Sequence, residues 1–395
     1  MTFLQILRRE WGILWKGRFP VAPILFLLPL AFTLAFGIIY YQNSVERIPL
    51  IICDEEQSPV SRTVIQAYSD SEKFSITGEV YHAEDMTDAL QSGSAIAALY
   101  IPADLSKKIK TGDPIDLLIL VDSANNMFGN AAMTAANEIN KTLAVGIASQ
   151  LLEAGNQLPQ AAMSMAYPVR MGIRIINNPT TGYSPFMLAG LTMNGLQIAI
   201  MLVICPLVAR EFHHRVYRKQ VPSWKIIAAK ILPVWGLSVL SFFVSLIFLH
   251  TCFAIPARGS FFDLGLIMAV FTLTASCIMT LFAVCSPDEV MSLQEPLLYI
   301  MPGLLYSGLS WPDFYMNQLA EVIAFIFPMR HGADVVRNLL LSGYAPALYS
   351  QCLQMLLMGG LCLLLAWGVF IVRRRYGTVN LIHHVFRREK GETTL

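Results

Sequence analysis

A short apolar stretch that ends in acids, Leu50-Ile51-Ile52-Cys53-Asp54-Glu55, has the form of a strand whose carboxylates hold Mg²⁺ in a nucleotide hydrolase. Such a site also needs a phosphate-cradling loop of the Gly-x-x-x-x-Gly-Lys-Ser/Thr kind, and the dipeptide Gly-Lys never occurs in this chain. The stretch is therefore expected to be a buried strand with a polar end. His213-His214 and His383-His384 are adjacent pairs set among Arg and Lys. Neighbours on a helix point in different directions, so neither pair makes a metal site, and both read as basic surface. The seven cysteines form no Cys-x-x-Cys, and no Gly-x-Ser-x-Gly or His-Glu-x-x-His occurs. No catalytic, cofactor-binding or metal-ligating residue is expected, and the chain reads as a non-enzyme.

Other polar residues stand out by where they fall. Asn194 and Gln197 lie at i, i+3 within a long apolar run, on one face of a helix. Such a pair either meets cargo and water or holds helices together by hydrogen bonds. Arg210 and Glu211 close that run, and Arg215, Arg218 and Lys219 follow. Between residues 311 and 343, Trp311, Phe314, Phe325 and Phe327 alternate with Asp313, Glu321, Arg330, Asp334 and Arg337. Aromatic and charged residues mixed in this way suit a re-entrant or outer-interface helix pair, with an ordinary outer loop as the alternative.

The elements that must carry these residues are mostly membrane helices. Of 395 residues, 55% are hydrophobic and only 14% charged, and mean hydropathy is +0.54. Soluble domains run near a quarter charged, so an ordinary soluble enzyme is excluded. A net charge of +1 gives no pull toward nucleic acid. A spanning helix needs about 20 apolar residues. Long stretches free of Asp, Glu, Lys and Arg lead to six spans, near 21–41, 184–208, 228–254, 264–286, 290–309 and 349–372, the fifth with Glu295 near its start and interrupted by Pro296 and Pro302. The first run is too long for a signal peptide and reads as a retained anchor.

Basic residues set the orientation. Residues 1–18, 210–230 and 373–395 carry net +3, +5 and +4, and an even span count puts all three on one side, expected to be cytoplasmic. Residues 46–183 carry net −7 and are expected outside. Asp288, Glu289 and Glu295 form an acidic inner loop that dissents, but acids weigh little in this rule. Leu4, Leu7, Trp11, Leu14 and Trp15 recur at helical spacing among Arg8, Arg9 and Lys16, which predicts an interfacial amphipathic helix over 1–18.

The outer segment changes character. Apolar runs at 48–53, 74–80, 95–101 and 115–121 predict strands; residues 59–68, 83–91, 104–110 and 126–153 predict helices. Alternation of this kind argues a layered α/β domain. The whole is expected to be an α-helical polytopic membrane protein of six spans with an inserted extracytoplasmic α/β domain. In order come an interfacial helix (1–18), a first span (19–45), the α/β domain (46–183) and a five-span domain (184–372). The last contains a cytoplasmic segment at 210–227 and the re-entrant segment at 311–343, and a basic tail (373–395) ends the chain.

This layout resembles the membrane subunits of type-2 ATP-binding-cassette (ABC) exporters with a large extracytoplasmic domain. The resemblance rests on Cys53-Asp54-Glu55-Glu56-Gln57-Ser58-Pro59-Val60-Ser61-Arg62, on the strands at Ala95–Pro102 and Asp116–Asp122, and on Asn178-Pro179. It rests also on Arg210-Glu211, Val221-Pro222, Lys230-Ile231-Leu232-Pro233, Ser307-Gly308-Leu309-Ser310-Trp311-Pro312 and Phe327-Pro328 with Arg337 to Gly343. Phe212 to Arg218 departs from the family's Gly-Thr continuation after Arg-Glu. The resemblance implies a permease in a bacterial inner membrane with both termini cytoplasmic, paired with a second permease subunit as a homo- or heterodimer. Two cytoplasmic ATPase subunits would carry ATP and Mg and push on Arg210, Glu211, Arg215, Arg218 and Lys219. A periplasmic adaptor and membrane lipid are further expected partners, and the cargo would be drug-, lipid- or glycoconjugate-like. A membrane receptor or assembly factor with a ligand-binding outer domain is the alternative. An ion-coupled carrier is disfavoured, because the spans carry no central charge.

Overall fold

The computed structural model describes residues 2–16, 20–41, 45–111, 113, 116–124, 126–154, 177–178, 182–214, 221–312 and 315–376. In chain order they form α1 (Phe3–Lys16), α2 (Ile24–Ile39), β1 (Ile48–Asp54), α3 (Pro59–Ser69), β2 (Phe74–Val80), α4 (Ala83–Gln91), β3 (Ala97–Ile101), α5 (Leu105–Thr111), β4 (Leu118–Val121) and α6 (Asn126–Ala154). Then follow α7 (Tyr183–His214), α8 (Ser223–Phe253), α9 (Phe261–Cys285), α10 (Met291–Leu305), α11 (Gln318–Ala324), α12 (Pro328–Ser342) and α13 (Leu348–Tyr376). The chain divides into two units, Ser44–Arg174 and the remainder, Met1–Asn43 with Ile175–Leu395.

In the smaller unit the strand order is β2-β1-β3-β4, with β1 parallel to both neighbours and β4 antiparallel to β3. The period of two decides which side chains meet. Ile48, Leu50 and Ile52 face α3 and α6 with Leu99, Val64, Tyr68 and Ala135, while Cys53 and Ala98 face Met86 of α4. Ser58 starts α3 as a reciprocal capping box with Ser61, and Pro59 sits where a missing N–H costs nothing. Tyr68 is fully buried and its hydroxyl donates to Asn140 Oδ1 at 2.9 Å, joining α3 to α6.

In the larger unit, α7, α8, α9 and α13 are long and apolar enough to cross a membrane. The six expected spans thus divide. Helix α2 has 16 residues and α10 has 15, about 24 and 22 Å of helix, short of the roughly 30 Å hydrocarbon core. Both carry prolines inside the helix, Pro29 in α2 and Pro296 and Pro302 in α10.

Helix α7 is the hub of this unit, packed by α2, α8, α9, α10 and α12. Small residues let the neighbours approach. A Cβ on Gly190 would sit 2.0 Å from Leu309 Cδ1, and one on Gly195 would sit 2.8 Å from the Phe32 ring. Buried hydroxyls are spent locally: Thr272, Ser276 and Thr280 of α9 each donate to the carbonyl four residues back at 2.7 Å. Pro29 cannot donate to Leu25 O, so that carbonyl is released and accepts Ser241 Oγ of α8 at 2.5 Å. A proline in an apolar helix is thereby converted into a helix–helix bond.

Helix α1 is amphipathic as expected, but a different face is packed. Ile6, Glu10 and Leu14 are buried against the bundle, while Leu4, Trp11 and Trp15 are exposed. The expected stripe is therefore split: Leu14 turns inward and both tryptophans turn outward.

Candidate functional site

The end of the larger unit where α7 and α9 stop and α8 begins gathers most of its charge. Lys230 of α8 and Glu10 of α1 are both almost fully buried, and Nζ donates to Glu10 Oε1 at 3.1 Å. The same Nζ donates to Leu207 O of α7 at 2.9 Å. One ammonium thus fixes three helices where α7 approaches its C-terminal end, the end that favours a cation. Sequence reasoning missed this pair. It counted Glu10 as an offset to neighbouring arginines and Lys230 as a helix-end charge. The available signal was Glu10 lying four residues from both Ile6 and Leu14, the residues that define the packed face.

Arg210 lies one turn beyond Leu207. Its Nε donates to Glu289 Oε2 at 3.2 Å, and both side chains are partly exposed. Glu211 is buried, on the other side of α7 from solvent, and the partner of Arg210 comes from the acidic turn after α9. The dissenting acids of that turn are spent within this chain: Ser286 Oγ donates to Glu295, and Asp288 Oδ1 accepts the Met291 N–H at 2.8 Å, starting α10. Arg215, Arg218 and Lys219 lie outside the described residues.

Two arginines of α13 complete this end. Arg373 is buried and caps α9, donating to Val284 O at 2.7 Å, Ser286 O at 2.5 Å and Pro287 O at 3.1 Å. Its guanidinium lies 4.2 Å from the Phe212 ring centre, and Phe212 meets Phe370. Arg374 Nη1 donates to Val221 O at 2.6 Å, just ahead of α8. Phe212 and Val221 are thus both held by α13. Read as a tail beginning at 373, these arginines were assigned to bulk charge. They are instead in the last turn of α13, where Arg373 caps α9 and Arg374 ties the helix to Val221.

Asn194 and Gln197 share a face of α7 with Gly190, and both are buried. Neither Asn194 Oδ1 nor Gln197 Oε1 has a hydrogen-bond partner among the described residues. Interhelical hydrogen bonds through these oxygens, one of the two expectations, are not present among those residues.

Helices α11 and α12 follow one another closely, joined by a turn at 325–327. That turn reaches the middle of α10: Tyr299 Oη donates to Ile326 O at 2.5 Å, and Phe327 packs between Tyr299 and Tyr306. Helix α12 then runs inside the bundle, with Gly332 against Met193 and Phe271. Arg337 pairs with Asp334 and lies 4.6 Å from the centre of the Phe186 ring. Its Nη1 has no hydrogen-bond partner among the described residues. Arg330 is partly buried near the start of α12, and Trp311 is exposed beside Tyr315.

In the smaller unit the carboxylates after β1 are occupied as loop ties. Asp54 accepts Ser61 Oγ at 2.6 Å and the Glu56 and Gln57 N–H groups at 3.0 Å; Glu56 accepts Ser58 Oγ at 2.6 Å and Ser106 N at 2.5 Å. Cys53 beside them is buried, and burial with the nearby carboxylates pushes its thiol up from the ordinary value.

Comparison with known proteins agrees with this architecture. Residues 23–367 match the model of a family described as "ABC-2 family transporter protein". Two curated relatives, from Escherichia coli strain K12 and from Escherichia coli O157:H7, both carry the description "Probable multidrug ABC transporter permease YbhR". Each is 22% identical over 326 residues, covering 82% of this chain and 83% of the relative. A match that runs through both units and into α13 is too extensive to describe a shared segment, and the chain belongs to the ABC-2 family of transporter proteins.

Proposed function

We propose that this chain is the permease of an ABC exporter that pairs with a second permease and is driven by a separate cytoplasmic ATPase. The carrying observation is the arrangement around the end of α7. Arg210 is held by Glu289, Lys230 ties α7 to α8 and α1, and Arg373 and Arg374 brace the same end from α13. A push on the segment from Arg210 onward therefore reaches four spans at once rather than bending one helix end. The basic residues Arg215, Arg218 and Lys219 extend that segment and suit a docking surface for an ATPase. ATP and Mg would be held by the ATPase.

In this reading α2 and α10 complete six spans as short helices, both termini lie in the cytoplasm of a bacterial inner-membrane protein, and residues 46–183 lie outside. The turn at 325–327 enters the membrane from that outer side. The pathway runs along the face of α7 that carries Asn194 and Gln197, whose buried oxygens await a donor from cargo, water or the second permease. A drug-, lipid- or glycoconjugate-like cargo fits the reading, and the similar proteins described as probable multidrug permeases support the first of these. An adaptor outside the membrane would meet the α/β unit.

The test is affinity purification of the chain from its native membrane, with subunit stoichiometry read by mass spectrometry. Two permease chains with two ATPase chains are expected. Recovery of the chain with no nucleotide-hydrolysing subunit would favour the receptor or assembly-factor reading.

A further inference from the structure

Helix α13 packs chiefly on α9 and far less on α8, and a slot lies between α8 and α13. The slot has a volume of about 450 Å³ and no polar lining. Its walls are Trp224 and Ile231 of α8 and Leu364 and Trp367 of α13, and Leu273 and Cys277 of α9 form its floor. Trp224 and Trp367 are both partly exposed, and the Trp224 ring is stacked on Phe3 of α1 at 6.2 Å.

The charge around this slot is one-sided. Arg374 reaches across its foot to Val221 O at 2.6 Å, and Lys225 Nζ lies 5.6 Å from the Trp224 ring centre. Arg375, the next residue along α13, is exposed. Residues 221–232 and 363–376 contain no Asp or Glu. The Arg374 bond sets Trp224 about one turn above the foot and Trp367 about two turns above it. The slot thus begins at the depth of an interfacial tryptophan and continues into the acyl region. A ligand that fits it has an apolar chain and an anionic head at one end.

We propose that this slot binds one anionic phospholipid, with an acyl chain between α8 and α13 and the headgroup phosphate held by Lys225 and Arg374. The lipid fills the gap that separates α13 from the helix that starts the coupling end, so it braces α13 against α8. The proposal rests on the permease reading only in requiring that this face meet lipid. Neither ATP nor cargo enters it.

The full chain is reconstituted in nanodiscs of equimolar phosphatidylglycerol and phosphatidylcholine, extracted in mild detergent, and its retained lipid counted by native mass spectrometry. One phosphatidylglycerol per chain is expected. Ala228→Phe, which fills the slot, should abolish retention, and Leu357→Phe, on an exposed part of α13 that does not line the slot, should leave it unchanged. Lys225→Glu, at the rim, should reduce the preference for phosphatidylglycerol at least about fivefold. This variant needs no repacking and serves if the filled variant does not fold. Equal retention of the two lipids by the wild type, an unchanged preference in Lys225→Glu, or full retention in folded Ala228→Phe would overturn the proposal. Because the readout uses no ATPase, its failure leaves the transport reading untouched, and failure to recover an ATPase leaves the lipid site untouched.

Discussion

At the scale of single residues, the two ion pairs at the end of α7 have opposite roles. Arg210–Glu289 is partly solvated, and exposed pairs contribute little to stability, about 0–1 kcal/mol. Arg210→Ala or Glu289→Ala should therefore leave insertion and Tm close to wild type and reduce cargo-stimulated ATP hydrolysis. Wild-type stimulation in both variants would make the pair a simple helix-end anchor. Lys230–Glu10 is buried on both sides, and removing one partner strands a charge, at a cost of about 3–5 kcal/mol. Lys230→Met should lower Tm by several degrees, and Lys230→Met with Glu10→Leu should recover most of the loss. No recovery in the double variant would show that the Leu207 carbonyl, not the carboxylate, is the important partner. Tyr68 offers a pH-dependent readout in the α/β unit, since burial pushes its hydroxyl up to about 12 despite the Asn140 bond. A folded pKa above the unfolded value of about 10 means its contribution is complete below pH 10 and lost as pH rises toward 12. Alkaline unfolding monitored by circular dichroism should show a shallower loss across that window in Tyr68→Phe. Identical profiles would mean that Tyr68 does not govern it.

Between elements, what was legible in the sequence depended on periodicity. Phe74–Val80 follows the Ser69-Asp70-Ser71 cluster and Ala83–Gln91 ends at Ser92-Gly93-Ser94, so small polar residues mark the outer bounds of this pair. The long apolar helices were equally visible. What the pattern did not show is partner choice. Arg210 bonding Glu289, 79 residues away, and Arg373 capping α9 are products of folding in three dimensions, and no local spacing encodes them. The face of α1 that packs on the bundle was not legible for a related reason: a buried Glu interrupts the apolar stripe of Ile6 and Leu14. Helix α12 shows how closely elements are fitted. Arg258 bonds Leu340 O and Leu341 O at its end, and a Cβ on Gly259 would come within 2.8 Å of Leu339 O, a backbone atom that cannot swing away. Gly259→Ala should cost about 1–3 kcal/mol and lower Tm. An unchanged Tm would mean that the loop before α9 shifts freely from α12.

For the whole molecule, the account stands on orientation and on energy supply. With the α/β unit outside, a lone cysteine replacing Ser69, at the end of α3, on a cysteine-free background should react with an impermeant maleimide in intact spheroplasts. Reaction only after permeabilisation would invert the topology. The four long apolar helices among the described residues and the family match make this a multi-pass protein of the ABC-2 transporter family, and the proposed function puts the motor on another chain. The most direct measurement is ATP-driven cargo accumulation in proteoliposomes, made once with the purified chain alone and once with its co-purified ATPase. The account predicts no hydrolysis and no transport from the chain alone, and both activities when the ATPase is present. Nucleotide hydrolysis by the chain alone, or transport that continues without ATPase on an ion gradient, would contradict it.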